Sequence, residues 1–148
     1  KADIHRAGLR DQVAMPGVLT REEIRRVLGR ADVYVAPAAL ESFGIAALEA
    51  RCAGVPVVGM SRSGLGEFVT DGIEGFLVDD DAQMLEAVRS LALSPVLRAA
   101  MRHHNATTAP PMAWPLVLAQ HDHVYARARE HVASASRRRS LGSLVTTR

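Results

Sequence analysis

The sequence predicts an α/β chain, a parallel sheet with flanking helices, and three stretches carry that reading. Asp32 to Ala36 is rich in β-branched and aromatic residues, Ile45 to Ala53 is built from good helix formers, and Pro56 to Gly59 is apolar again. Gly54 supplies the helix stop and Pro56 lies just beyond it. Strand, helix and strand in that order form a βαβ unit, whose crossover is right-handed between parallel strands.

The remaining elements follow the chain. Lys1 to Arg10 reads as the end of a helix stopped by Gly8, and Gln12 to Met15 as a short strand ended by Pro16-Gly17. Thr20 and Glu23 make a capping box, in which each side chain reaches the other's backbone N–H, and the helix continues through Ile24, Val27 and Leu28 to about Gly29. Ser61 to Gly66 is a Gly/Ser loop, Glu67 starts a short helical turn, and Gly75 to Val78 is another short strand. Asp79 to Asp81 open a helix through Met84, Leu85 and Val88 to Leu91-Ala92, where three acids serve capping and the helix dipole rather than a cation. Ser94-Pro95 begins a helix with Pro at its first position, running to about Asn105. After the Ala109-Pro110-Pro111 break, Met112 to Glu130 is the last helix, with Trp114 packing into a core. Residues 132–148, Ser/Arg-rich and basic, read as a disordered tail behind a domain of residues 1–131.

Composition narrows the class. A chain of 148 residues has enough surface to bury one core, and 48% apolar residues with a formal charge of +2 fit a globular domain. Much of the basic excess sits at Arg137, Arg138 and Arg139, so no nucleic-acid-binding face is expected. A single cysteine excludes an intrachain disulfide and suits a reducing, cytoplasmic setting. Cys52 itself reads as a buried small hydrophobe. No stretch approaches the ~20 apolar residues of a membrane span, and no signal peptide is visible. His103 and His104 are adjacent, and His121 and His123 are two apart, so neither pair shares a helix face and no metal site is expected. Starting at Lys1 without Met, the chain reads as a piece of something longer.

The candidate site is Pro37 to Gly54, where a strand ends, a loop turns and a helix opens on Ser42-Phe43-Gly44. In open α/β sheets ligands sit at the carboxyl ends of strands, where the first helical turn offers unpaired N–H groups and partial positive charge to an anion. Gly44 lets that backbone come close. Glu49 lies about 7 to 8 Å along the axis from the helix start, too acidic for a phosphate but suited to the vicinal hydroxyls of a ribose. Glu41, in the loop, faces whatever is attached beyond the phosphates. Taken alone, the same two acids also read as a dipole partner and a solvated helix face.

Glu41 and Glu49, with seven residues between them, resemble the E-x7-E signature of retaining glycosyltransferases of the GT-B fold, particularly glycosyltransferase family 4. The resemblance extends over Ala31 to Pro37, Glu41-Ser42-Phe43-Gly44, Glu49-Ala50 and Ala53-Gly54-Val55-Pro56-Val57-Val58. Downstream, Gly64 to Val69 is similar to the family's G-G-x-x-E-x-V and Asp71 to Val78 to its D-G-x-x-G-x-L-V. The resemblance implies a Rossmann-like parallel sheet, the C-terminal, donor-nucleotide half of a GT-B fold lacking its first strand and helix.

It also implies the chemistry: retaining transfer of a sugar from a nucleoside-diphosphate sugar to a hydroxyl acceptor. Glu41 is the implied catalytic-site residue, binding donor-sugar hydroxyls; the backbone of Ser42, Phe43, Gly44 and Ile45 holds sugar and phosphate oxygens; Glu49 holds the ribose. Gly17, Val18 and Leu19 are the implied base contacts, although by themselves they read as a connecting turn. The leaving phosphate assists the acceptor, so no covalent carboxylate is required, and no cofactor or divalent metal is expected. The partners implied are the nucleotide-sugar donor and an N-terminal acceptor domain, through which peripheral membrane contact is possible; the isolated fragment is expected to be inactive. The competing expectation is a non-catalytic nucleotide-binding or interaction domain of the same fold.

Overall fold

A computed structural model describes the backbone of residues 2–145 and the side chains of residues 3–134. It divides into two units, Lys1–Thr107 and Thr108–Arg148. The first holds α1 (Ala2–Arg6), α2 (Arg21–Arg30), β1 (Tyr34–Ala36), α3 (Ile45–Cys52), β2 (Val57–Met60), a 3-10 turn (Gly64–Glu67), β3 (Gly75–Val78), α4 (Asp81–Leu93) and α5 (Pro95–Thr107). The second holds α6 (Trp114–Val145).

The sheet is parallel, in the order β1-β2-β3. Tyr34 lies opposite Val57, and Val57 opposite Gly75. The central strand is buried along its whole length, which is why Val57 to Met60 shows no polar alternation. Helix α3 carries the crossover from β1 to β2 and sets the small residues Ala47 and Ala50 against the strands. Helix α4 packs on β2 and β3, and α5 on α4 and α3. Val58, Met60, Val78, Met84, Ala87, Leu91 and Met101 form the core between them.

Caps are where the sequence placed them. Thr20 accepts from the N–H of Glu23, whose carboxylate returns to the Thr20 N–H at 2.8 Å. Asp80 accepts from Gln83 N–H at 2.8 Å, so the acidic run opens α4 as a cap.

A buried polar cluster ties the helices together. The Arg51 guanidinium on α3 donates to Glu74 Oε1 at 3.2 Å, and His104 Nε2 on α5 meets the same oxygen at 3.0 Å. Thr70 N–H donates to Glu74 Oε2, while the Asn105 amide donates to the carbonyls of Val55 and Glu74. Burial alone pushes the Glu74 carboxyl up, but hydrogen bonds from the Thr70 backbone, His104 and Arg51 outweigh it and hold the group below its ordinary value of 4.5. A carboxyl with a depressed folded pKa contributes stability that is complete above the unfolded value and lost as pH falls through the folded one. Urea midpoints measured from pH 7 downward should therefore hold until the ordinary carboxylate range and then fall, and Glu74→Gln should flatten that decline. A Gln variant declining as steeply as the parent would remove Glu74 from the cause.

Four expectations need correction. Residues 12–15 form no strand: Gln12 and Val13 spend their N–H groups on the Leu9 carbonyl in turns, and among the described residues no ladder partner lies beside them. The compact unit ends at Thr107, not near residue 131. The last helix continues to Val145, because no Pro interrupts it and the Ala and Arg positions beyond Glu130 favour helix; residues 146–148 of the expected tail lie outside the described residues. Trp114 is 76% exposed rather than in a core, as the first residue of α6, beside which the described residues of its unit form no second helix or strand.

Candidate functional site

β1 ends at Ala36 and α3 begins at Ile45, and the eight residues between them build a turn at the carboxyl edge of the sheet. Gly44, the N-cap, has φ +85° and is buried, a left-handed conformation in which a side chain is strained. Glu41 folds back over this turn: its Oε1 accepts from the N–H of Phe43 at 3.3 Å and of Gly44 at 3.1 Å. Its carbonyl accepts from Gly64 N–H at 2.8 Å. A Cβ on Gly64 would lie 2.0 Å from the Ser42 carbonyl oxygen, so the loop after β2 lies directly against the turn. The Phe43 ring points inward, 5.5 Å from that of Phe68.

These contacts narrow the set of Ser42 to Ile45. The amides of Phe43 and Gly44 already serve Glu41, whereas the first turn of α3 has no side-chain cap. Ser42 and Ile45 are exposed. An anion at this helix mouth meets amides from Ile45 onward, together with the positive end of the helix dipole.

Glu49 stands one turn along α3 on its exposed face and lines a cavity of about 670 Å³ with Arg21, Ile24, Arg25 and Leu28 of α2 and with Cys52 and Ala53. The Tyr34 phenol at the start of β1 is pushed above its ordinary range by burial first and then by the charges of Glu41 and Glu49. Cys52 is exposed, contrary to expectation, because the buried stripe of α3 runs through Ala47, Ala50 and Arg51 and leaves Cys52 on the cavity side. Gly17, Val18 and Leu19 precede the Thr20 cap; Val18 is fully exposed, and none of the three lines the cavity.

Sequence reasoning missed Tyr34, Arg21, Arg25 and the Arg51–Glu74 pair; it singled out the Ser61 to Gly66 loop, but not the hydrogen bond from Gly64 to the Glu41 carbonyl. Arg21 and Arg25 stand four apart after a capping box, so their common face was readable, though not what it faces. Nothing local announces a pair separated by 23 positions.

A three-stranded parallel sheet with helices packed on it, an uncapped helix start and an acid one turn further on is a Rossmann-like frame with its candidate site at the carboxyl ends of the strands. Residues 1–107 match the family described as "Glycosyl transferases group 1", and the chain belongs to that family as a GT-B-type C-terminal domain. Among curated relatives, the D-inositol 3-phosphate glycosyltransferase of Geodermatophilus obscurus is 39% identical over 118 residues, 78% of this chain and 25% of that protein. The enzyme of the same name from Streptomyces avermitilis is 35% identical over 127 residues, 84% of this chain and 27% of that protein. The chain thus spans about a quarter of their length. Among solved structures, Anabaena Alr3699/HepE in complex with UDP and glucose superposes with a TM-score of 0.63 at 24% identity, over 71% of this chain and 29% of that one. The C-terminal domain of the Francisella tularensis group 1 glycosyl transferase LpcC gives 0.63 at 23% identity, over 71% and 55%. Among the described residues, no helix is long and apolar enough to cross a membrane.

Proposed function

We infer that this chain is the donor-binding half of a retaining glycosyltransferase that moves a sugar from a nucleoside-diphosphate sugar to a hydroxyl acceptor held by another domain. The observation that carries this reading is Glu49, lining an open cavity one turn from an uncapped helix start. The diphosphate sits at the α3 mouth, Glu49 accepts from the ribose hydroxyls, and the free side of the Glu41 carboxylate takes hydroxyls of the donor sugar. Charge building on the departing diphosphate is met by the helix dipole and amides instead of a divalent metal. Glu41, engaged by two amides of its own turn, is a fixed acceptor rather than a nucleophile. That curated relatives are glycosyltransferases and that a similar fold holds UDP and glucose support the reading.

Glu49→Ala should weaken nucleoside-diphosphate binding by about 1 to 3 kcal/mol, the scale of hydrogen bonds to a charged group. Calorimetric titration of the protein with UDP, GDP and ADP measures it, and unchanged affinity for all three would sink the assignment. Cys52 offers an independent readout: a bound nucleotide should slow its alkylation by a maleimide, since the thiol shares the Glu49 cavity.

A further inference from the structure

Helix α3 is held to the sheet by little apolar bulk. Its fully buried residues are Ala47, Ala50 and Arg51, with Leu48 half-buried beside them, and Arg51 is the bulkiest of the fully buried side chains among the described residues. Two alanines let the helix come close to the strands, but single methyl groups raise no ridge to lodge in a groove. Rotation of α3 about its own axis is therefore resisted chiefly by Arg51, whose guanidinium donates to Glu74 Oε1 at 3.2 Å. Glu74 is itself fixed on several sides. Its Oε2 accepts from the Thr70 N–H at 2.8 Å, its Oε1 meets His104 Nε2 at 3.0 Å, and its carbonyl accepts from the buried Asn105 amide at 3.0 Å.

Glu49 is the group that such a rotation displaces most. At 3.6 residues per turn it stands about 200° around the helix from Arg51, on the exposed side. The N–H groups at the helix mouth point along the axis and barely shift when the helix rolls. A carboxylate at the rim of a helix roughly 10–12 Å across moves by about 2 Å for a roll of about 20°. That is more than the roughly 0.5 Å over which hydrogen-bond lengths vary. A buried ion pair adds little net stability once desolvation is counted, yet it is satisfied in only one geometry.

We propose that Arg51 and Glu74 are positioning residues for Glu49, a buried pair that fixes the roll of α3 so that the Glu49 carboxylate faces the hydroxyls of the ligand; this rests on the donor-binding reading above. Neither side chain touches the ligand, since both are buried on the far side of the helix, and the pair acts on binding through Glu49 alone. Removing one partner and replacing both therefore have different effects. Loss of the carboxylate strands a buried guanidinium, whereas an uncharged pair of similar size keeps the unit folded and leaves the helix free to roll.

Arg51→Met/Glu74→Gln is that replacement. Methionine fills the space of the arginine, while the glutamine oxygen accepts from the Thr70 N–H and its amide donates to His104 as the neutral imidazole. Circular dichroism and a melting temperature within about 5 °C of the parent establish that it folds. Arg51→Met alone, which leaves Glu74 its Thr70 and His104 partners, is the second variant and carries the same expectation. Calorimetric titration uses whichever of UDP, GDP and ADP binds the parent most tightly. Both variants should bind it at least about fivefold more weakly, the lower end of the loss for hydrogen bonds to a carboxylate. In a Glu49→Ala background the same replacements should weaken binding by less than about twofold, because the group they displace is already gone. Parent-like affinity in the folded variants, or a loss as large without Glu49 as with it, overturns the proposal and leaves the donor reading intact. Absence of binding by the parent, or a Glu49→Ala variant that binds like the parent, overturns the donor reading and this proposal with it.

Discussion

Glu74→Ala should lower the stability of the first unit by about 3 to 5 kcal/mol, the range for removing one partner of a buried ion pair. Arg51 and Glu74 are 2% and 7% exposed, so solvent cannot replace the lost carboxylate. His104, the Thr70 amide and Arg51 lose their common acceptor in the same step. For a unit of this size the melting temperature should drop on the order of 12 to 20 °C. Glu74→Gln keeps an acceptor for Arg51 and should lose distinctly less. A Glu74→Ala melting curve within a few degrees of the parent would show that the cluster contributes little to holding α3 against α5.

Gly64→Ala should be costly in a different way. The new methyl would lie 2.0 Å from the Ser42 carbonyl oxygen and 2.9 Å from the Phe43 Cα, and neither is the yielding tip of a side chain. The backbone must move, at about 1 to 3 kcal/mol for overpacking. What moves is the turn that holds Glu41 and Gly44, so the nucleoside-diphosphate binding proposed for that turn should weaken by about 1 to 3 kcal/mol, the scale of hydrogen bonds to a charged group. Chemical denaturation and calorimetric titration with UDP, GDP and ADP together check it: a stability loss with undiminished affinity would separate Gly64 from the site.

Much of this architecture was legible from local chemistry. The βαβ unit from Asp32 to Gly59, the Thr20 capping box and the Asp80 cap follow from propensity, period and hydrogen-bond reach, all of which operate within a few residues. The segment 12–15 looked like a strand by composition, but a strand exists only with a ladder partner, and sequence does not display partners. Cys52 and Trp114 went wrong for a related reason: burial depends on what lies opposite, and α3 turns Cys52 toward an open cavity. Glu41 and Glu49 were found by their spacing, whereas the engagement of Glu41 with the amides of its own turn needed coordinates. The arginines at 21 and 25 were visible as letters on one helix face, and only coordinates showed that this face lines a cavity with residues of α3.

The hydrogen bond from Gly64 to the Glu41 carbonyl joins two crossovers that are separate in sequence. Neither loop is a self-contained module. A chimaera that grafts the Glu41 to Gly44 segment onto a related scaffold must import the matching Ser63-Gly64-Leu65 stretch as well, and recombination between the two should yield folded but poorly shaped sites. Swaps that carry residues 37–68 as one cassette should transplant intact.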